Sequence, residues 1–205
     1  MYNKHMQPHV FIFMGRSGSG KGKQIELLQQ YFTEEYPTMG VQSYNCGDQF
    51  REFFKSENTL SSLVKKSVTE GNYQPDFFAT TLLFSTVFKT VNTTDHLLFD
   101  GYPRSLKQLS ELKELLMYLG KTNALVIDIS VTSEEVIRRM MLRGRTDDSQ
   151  DGAQKRQEEF DRAVAPTLEA IENDPFFTYL KIDGMPLPGV VHQNILQAIS
   201  QKIHG

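Results

Sequence analysis

A chain of 205 residues suits one compact domain and is long enough to bury a sizeable core. Its formal charge of −3 and pI near 6.0 exclude a general attraction to nucleic acid or an anionic membrane, so any anion site must come from local clustering. Cys46 is the only cysteine, which excludes an internal disulfide, and no Cys/His ligand spacing surrounds it to hold zinc. The first nine residues are polar, and the apolar run after them is too short for a signal segment or a membrane span, so the reading is a cytoplasmic protein.

That run, Val10 to Met14, reads as a strand, and GRSGSGKG, Gly15 to Gly22, follows it directly and opens a helical segment. Glycines let the backbone turn tightly and aim successive amide N–H groups at a polyphosphate, the helix N-terminus adds partial positive charge, and Lys21 reaches the outer phosphates. Gly15, Ser17, Gly18, Ser19, Gly20, Lys21, Gly22 and Lys23 are therefore candidate ligands of a nucleotide's phosphates. The strict GxxxxGK[ST] pattern fails at Gly22, and a Gly/Ser-rich connector is the plain alternative. Lys23 is either a second electrostatic grip or a solvent-facing side chain.

Further apolar runs at Val41 to Tyr44, His96 to Phe99, Ala124 to Ile129 and Phe176 to Ile182 alternate with helical patterns. This alternation predicts an α/β fold, a five-stranded parallel sheet with helices on both faces. Between the second and third strands, residues 47 to 75 carry more helix than one crossover needs and form a small insertion, with an apolar stripe of Leu60, Leu63, Val64 and Val68. Gly71 and Pro75 mark a turn before a Phe-rich helix from about Asp76 to Thr90. Leu106, Leu109, Leu112, Leu115, Leu116 and Leu119 form one core stripe, and Phe160, Val164, Leu168 and Ile171 another, in which Pro166 predicts a kink. The last helix buries Val191, Ile195, Leu196, Ile199 and Ile203. The five histidines are scattered and read as surface or packing residues.

HLLFDGYPR, His96 to Arg104, is a strand ending in an acid. A carboxylate at that position beside a phosphate loop can hold magnesium or its water shell, because hard cations take oxygen ligands and Gly101 permits close approach. Asp128 in ALVIDIS is the rival, placed better for a hydrogen-bonded structural role. Thr132 and Glu135 can start a helix as a capping box, and Arg139 and Arg143 lie one turn apart on a common face at its end. Cations this close repel by about 4 kcal/mol at 4 Å and an effective dielectric near 20, which a bound polyphosphate relieves. Arg138 and Arg162 read as ordinary surface ion-pair residues.

GRSGSGKGKQ, CGDQFR (Cys46 to Arg51), DGYPRS (Asp100 to Ser105) and RGRTDD (Arg143 to Asp148) occur in the order and spacing of adenylate kinases, and the resemblance covers nearly the whole chain. It implies a three-layer P-loop fold in one domain, a mobile NMP-binding insertion at 45–75 and a short LID at 144–152. Gly22 after the lysine is the form this family uses. The resemblance implies a magnesium-dependent transfer of the γ-phosphoryl group of ATP to AMP, giving two ADP, by a monomer that needs no zinc, nucleic acid or membrane.

By position, Lys21, Asp100, Arg104, Arg143, Arg145 and Arg156 are the implied catalytic residues, with Asp100 as the magnesium acid. Arg139 corresponds to the residue that stacks on the donor base, and Asp147 and Asp148 to the acidic pair of the LID. Cys46, Gly47, Asp48, Arg51, Gln74, Gly101, Arg104, Gln108, Arg145 and Arg156 are the implied acceptor site, its arginines gripping the monophosphate in the bidentate way that suits guanidinium. Gln108 matches the glutamine that reads adenine, although Ser105 and Gln108 also have capping-box spacing, which would turn that side chain onto its own helix. Cys46 stands where threonine is usual, and Tyr73 and Gln74 where an apolar pair is usual. A pyrimidine nucleotide kinase with the same machinery and a nucleotide sensor without turnover remain as alternatives.

Overall fold

The computed structural model describes residues 7–144 and 150–203. Its sheet has five parallel strands, β1 (Val10–Met14), β2 (Val41–Asn45), β3 (His96–Asp100), β4 (Ala124–Ser130) and β5 (Phe177–Asp183), in the order β2-β3-β1-β4-β5. Every residue of β1 is buried, as a central strand covered on both faces requires. The strand pleat divides its side chains between the layers. Val10, Ile12 and Met14 join one core with Leu97, Phe99 and Val126, whereas Phe11 and Phe13 join the other with Leu98, Leu125 and Ile127.

The second of these cores is closed by α1 (Lys21–Glu35) through Ile25, Leu28 and Phe32, by α6 (Ser133–Arg143) through Val136, and by α9 (Pro188–Ile203) through Val191, Ile195 and Ile199. Leu196 and Ile203 are only partly buried there. The first is closed by α4 (Asp76–Thr90), α5 (Leu106–Tyr118) and α8 (Ala165–Glu172). In α5 the stripe holds at Leu109, Leu112 and Leu116, while Leu106 is exposed.

Two further helices, α2 (Cys46–Phe53) and α3 (Thr59–Thr69), occupy the chain between β2 and α4. The expected apolar stripe of α3 is narrower than its sequence pattern, because Leu60 and Leu63 are exposed and only Val64 is buried. A short helix packed on few neighbours has no second layer to cover that side. The expected kink at Pro166 takes the form of a π-helical turn, Phe160–Val164, between α7 (Gln150–Glu159) and α8. Pro166 has no N–H to offer the carbonyl four residues back, and the chain widens by one residue just before it rather than breaking.

The strand register places the C-terminal ends together. Asn45 lies beside Asp100, Asp100 beside Phe13, and Met14 beside Asp128, so three strand ends meet at the start of the glycine loop. Ligands of open parallel sheets bind at this edge.

Candidate active site

The glycine loop forms as its sequence requires. Gly15 has φ +127, and a Cβ there would lie 2.5 Å from the Ile129 carbonyl oxygen; Gly18 has φ +92, with 2.7 Å to the Val136 carbonyl oxygen. Only glycine lets the loop lie this close to β4 and α6. The N-terminus of α1 has no side-chain cap and no acidic residue in its first turn, so its amides remain for an anion. The Lys21 ammonium donates to the carbonyls of Gly15 at 2.8 Å and Arg16 at 2.9 Å. Burial pushes its pKa down to about 8; Asp100 and Asp128 oppose the shift and Arg104 and Arg143 add to it.

The loop forms one wall of a cavity of about 750 Å³, and Gly15, Ser17, Gly18, Gly20, Lys21, Gly22 and Lys23 all line it. Gly47, Arg51, Gln74, Asp100, Gly101, Arg104, Arg139, Arg143 and Arg156 line the same cavity. Nine lysine and arginine side chains line this cavity against two carboxylates, Asp100 and Glu135, in a chain of net charge −3. The local clustering that an anion site needs is thus present.

Asp100 is 7% exposed, and its Oδ2 accepts from the Asn45 side chain at 2.6 Å. The Asn45 Oδ1 accepts from the Asp48 backbone N–H at 2.9 Å and caps α2, so one amide ties the acid to the start of that helix. Asp128 instead accepts from the Tyr179 hydroxyl at 2.7 Å, the structural arrangement its sequence position favours. Arg139 donates to Glu135 at 2.7 Å and to the carbonyls of Gly184 at 3.0 Å and Met185 at 3.3 Å. Thr132 caps α6, but Glu135 completes no box, because its carboxylate is engaged by Arg138 and Arg139 and held down to about 2 by those bonds. Arg138 forms the surface ion pair expected of it and also borders the cavity.

Some sequence-designated residues lie off the cavity wall. Gln108 is buried, accepting from the Arg104 backbone N–H at 2.7 Å and donating to Asp76 at 2.8 Å. Of the two arrangements open to it, this is the inward one at its own helix start. Cys46 is buried in the core, which pushes its thiol pKa up. Asp48 is solvent-exposed and pairs with Arg51 at 2.5 Å, and the Ser19 hydroxyl is buried without a hydrogen-bond partner among the described residues. Lys23 lines the cavity and pairs with Glu26 at 3.1 Å. Arg145, Asp147 and Asp148 lie outside the described residues, as does most of the 144–152 segment.

Sequence reading missed three contributors. Met185, Pro186, Leu187 and Pro188, after β5, give the cavity an apolar wall that no motif announces. Asn45 escaped notice because only the strand register brings it to Asp100. Arg16, inside the glycine loop, reaches across to α7 and the π-helical turn: it donates to the Gln157 carbonyl at 3.3 Å, pairs with Asp161 and lies 4.7 Å from the centre of the Phe160 ring. A second cation beside Lys21 in a glycine-rich loop was the available signal.

The sequence model of the family described as adenylate kinase matches residues 13–175. The chain is 30% identical over 195 residues to an adenylate kinase of Clavibacter michiganensis subsp. michiganensis, covering 93% of this chain and 92% of that protein. It is 27% identical over 194 residues to that of Phocaeicola vulgatus, covering 93% and 97%. A family match that spans the glycine loop, the insertion, DGYPR and the helices beyond it agrees with the cavity these segments build, and the chain belongs to the adenylate kinase family.

Proposed function

We infer that the protein transfers the γ-phosphoryl group of ATP to AMP, giving two ADP. The observation that carries this reading is one cavity lined both by the phosphate loop and by Arg51, Arg104 and Arg156 from other segments, so a second anion can be held beside the one on the loop. A simple hydrolase needs no second anion site.

An oxygen of the acceptor phosphate attacks the γ-phosphorus in line, and the bond from that phosphorus to the β-bridging oxygen breaks, leaving two diphosphates. The nucleophile is already an anion at neutral pH, so no general base is required. Catalysis is then positioning and charge dispersal. Lys21, Arg143 and Arg156 carry the positive charge around the transferring group, with Arg145 assigned the same role. Arg51 and Arg104 grip the acceptor phosphate, and Arg139 with the Met185–Pro188 wall takes the donor base.

The site suits magnesium. Asp100 presents a single carboxylate beside the loop, and this cation keeps several waters and binds through one or two carboxylates plus substrate phosphates. When bound it would neutralise charge on the donor phosphates. The segments at 45–75 and 144–152 are the closing elements that keep water from the reaction. Contacts between the first and α7 support this: Arg156 donates to the Val68 carbonyl at 3.4 Å, and a Cβ at Gly71 would lie 2.6 Å from the Gly152 carbonyl oxygen.

Recognition of the acceptor base by Gln108 requires its amide to leave Asp76. The acceptor is identified by assay: with magnesium ATP, AMP gives the highest kcat/KM among AMP, UMP, CMP and GMP. A pyrimidine preference overturns the choice of acceptor, and ATP binding without any ADP favours a sensor.

A further inference from the structure

We propose that Tyr73 is a positioning residue for Arg104, an aromatic platform that aims its guanidinium at the acceptor phosphate. This rests on the reading of Arg104 as an acceptor-phosphate ligand. The Arg104 Cζ lies 4.7 Å from the centre of the Tyr73 ring, and its Nε donates to the Gly101 carbonyl at 2.8 Å. The cation is thereby held against the ring and one donor is used. What remains is the edge bearing the two terminal nitrogens, which make no hydrogen bond among the described residues, and that edge is the one that pairs bidentately with phosphate oxygens. Gly101 keeps space for it, since a Cβ there would lie 2.9 Å from the Arg104 Nη2.

The platform is itself held. Gly71 turns the chain at φ +83 against Gly152, and the Gln74 amide donates to the Asn72 carbonyl at 3.2 Å and the Ser67 hydroxyl at 3.0 Å. The Asn72 carbonyl can only accept, which fixes the orientation of the Gln74 amide. Tyr73 thus sits in a short turn tied to α3 on one side and α7 on the other, partly buried against the core beneath the cavity it lines. The polar pair Tyr73–Gln74, in place of two apolar residues, acquires a purpose: the ring orients Arg104 and the amide braces the turn.

A leucine at this position would fill the core but offer no π face, so electrostatic character separates a platform from packing. The test replaces Tyr73 by phenylalanine and by progressively fluorinated phenylalanines, which drain the ring face of negative charge at nearly constant volume. The expected result is wild-type behaviour for Tyr73→Phe and an acceptor KM that climbs with fluorination, by about 3- to 30-fold over the series, at unchanged donor KM and melting temperature. Tyr73→Leu should show the same rise, and in an Arg104→Ala background, where acceptor affinity is read by calorimetric titration, should add nothing. A flat fluorination series, additive effects with Arg104→Ala, or a Tyr73→Phe variant as impaired as the leucine one overturns the platform. If Arg104→Ala itself leaves the acceptor affinity unchanged in that titration, the underlying assignment of Arg104 fails instead.

Discussion

Lys21 rests on the Gly15 and Arg16 carbonyls, and burial has already lowered its pKa to about 8. A bound polyphosphate favours the charged ammonium and raises that pKa. Donor affinity should therefore hold below pH 8 and weaken as pH rises through it, approaching tenfold per pH unit where the free protein has lost the proton. Calorimetric titration of a non-hydrolysable ATP analogue from pH 7 to 9.5 checks this; Lys21→Met should bind weakly without that slope, and a wild-type affinity that is level to pH 9.5 would contradict it. Single residues were legible where spacing dictates backbone geometry, as at Gly15 and Gly18. They were not where a side chain had two polar routes, as for Gln108, whose partner Asp76 lies 32 residues away in sequence.

Between elements, the contact that matters most and was least visible is Arg16 reaching from the loop before α1 to the π-helical turn before α8. Proline at 166 announces a disturbed helix, but its resolution as a widened turn depends on what packs there, and Arg16 and Phe160 are part of that packing. The Arg16 side chain is mostly buried and Asp161 mostly exposed, so a partly screened ion pair and a cation–π contact together contribute about 1 kcal/mol. Arg16→Ala should lower the melting temperature by roughly 2–4 °C for a domain of this size. It should also raise the KM for ATP several-fold, because the loop loses its brace. Thermal melts and steady-state kinetics read both, and an unchanged Tm with unchanged donor KM would remove the brace from the account.

For the whole molecule, every strand of the sheet was visible to within a residue or two at either end, since short buried runs between helical stripes leave few alternatives. Which layer each helix covers follows from the crossover order instead, and no local pattern gives it. Among the described residues, the core holds titratable side chains that the chemistry does not use, and one of them makes folding pH-dependent. His96 in β3 is fully buried, stacked on Phe32 at 4.2 Å, and its Nδ1 accepts from the His9 backbone N–H at 3.1 Å. Burial, with the neighbouring His9 next, lowers its pKa to about 4. The unfolded chain binds the proton more readily, so this contribution is complete above about pH 6.5 and is lost as pH falls from there towards 4, by about 3 kcal/mol in all. Urea unfolding across that window should show the loss in the wild type and much less of it in His96→Phe; parallel curves for the two would assign the acid sensitivity elsewhere.

In the proposed reaction, two anion sites in one cavity exchange a phosphoryl group. Phosphorus NMR of the protein with magnesium ATP and AMP follows donor, acceptor and products together. Two ADP should form for each ATP and AMP consumed, with only minor inorganic phosphate, and ADP formation should be almost completely lost in Arg104→Ala. Inorganic phosphate released one for one with ATP while AMP persists would contradict it.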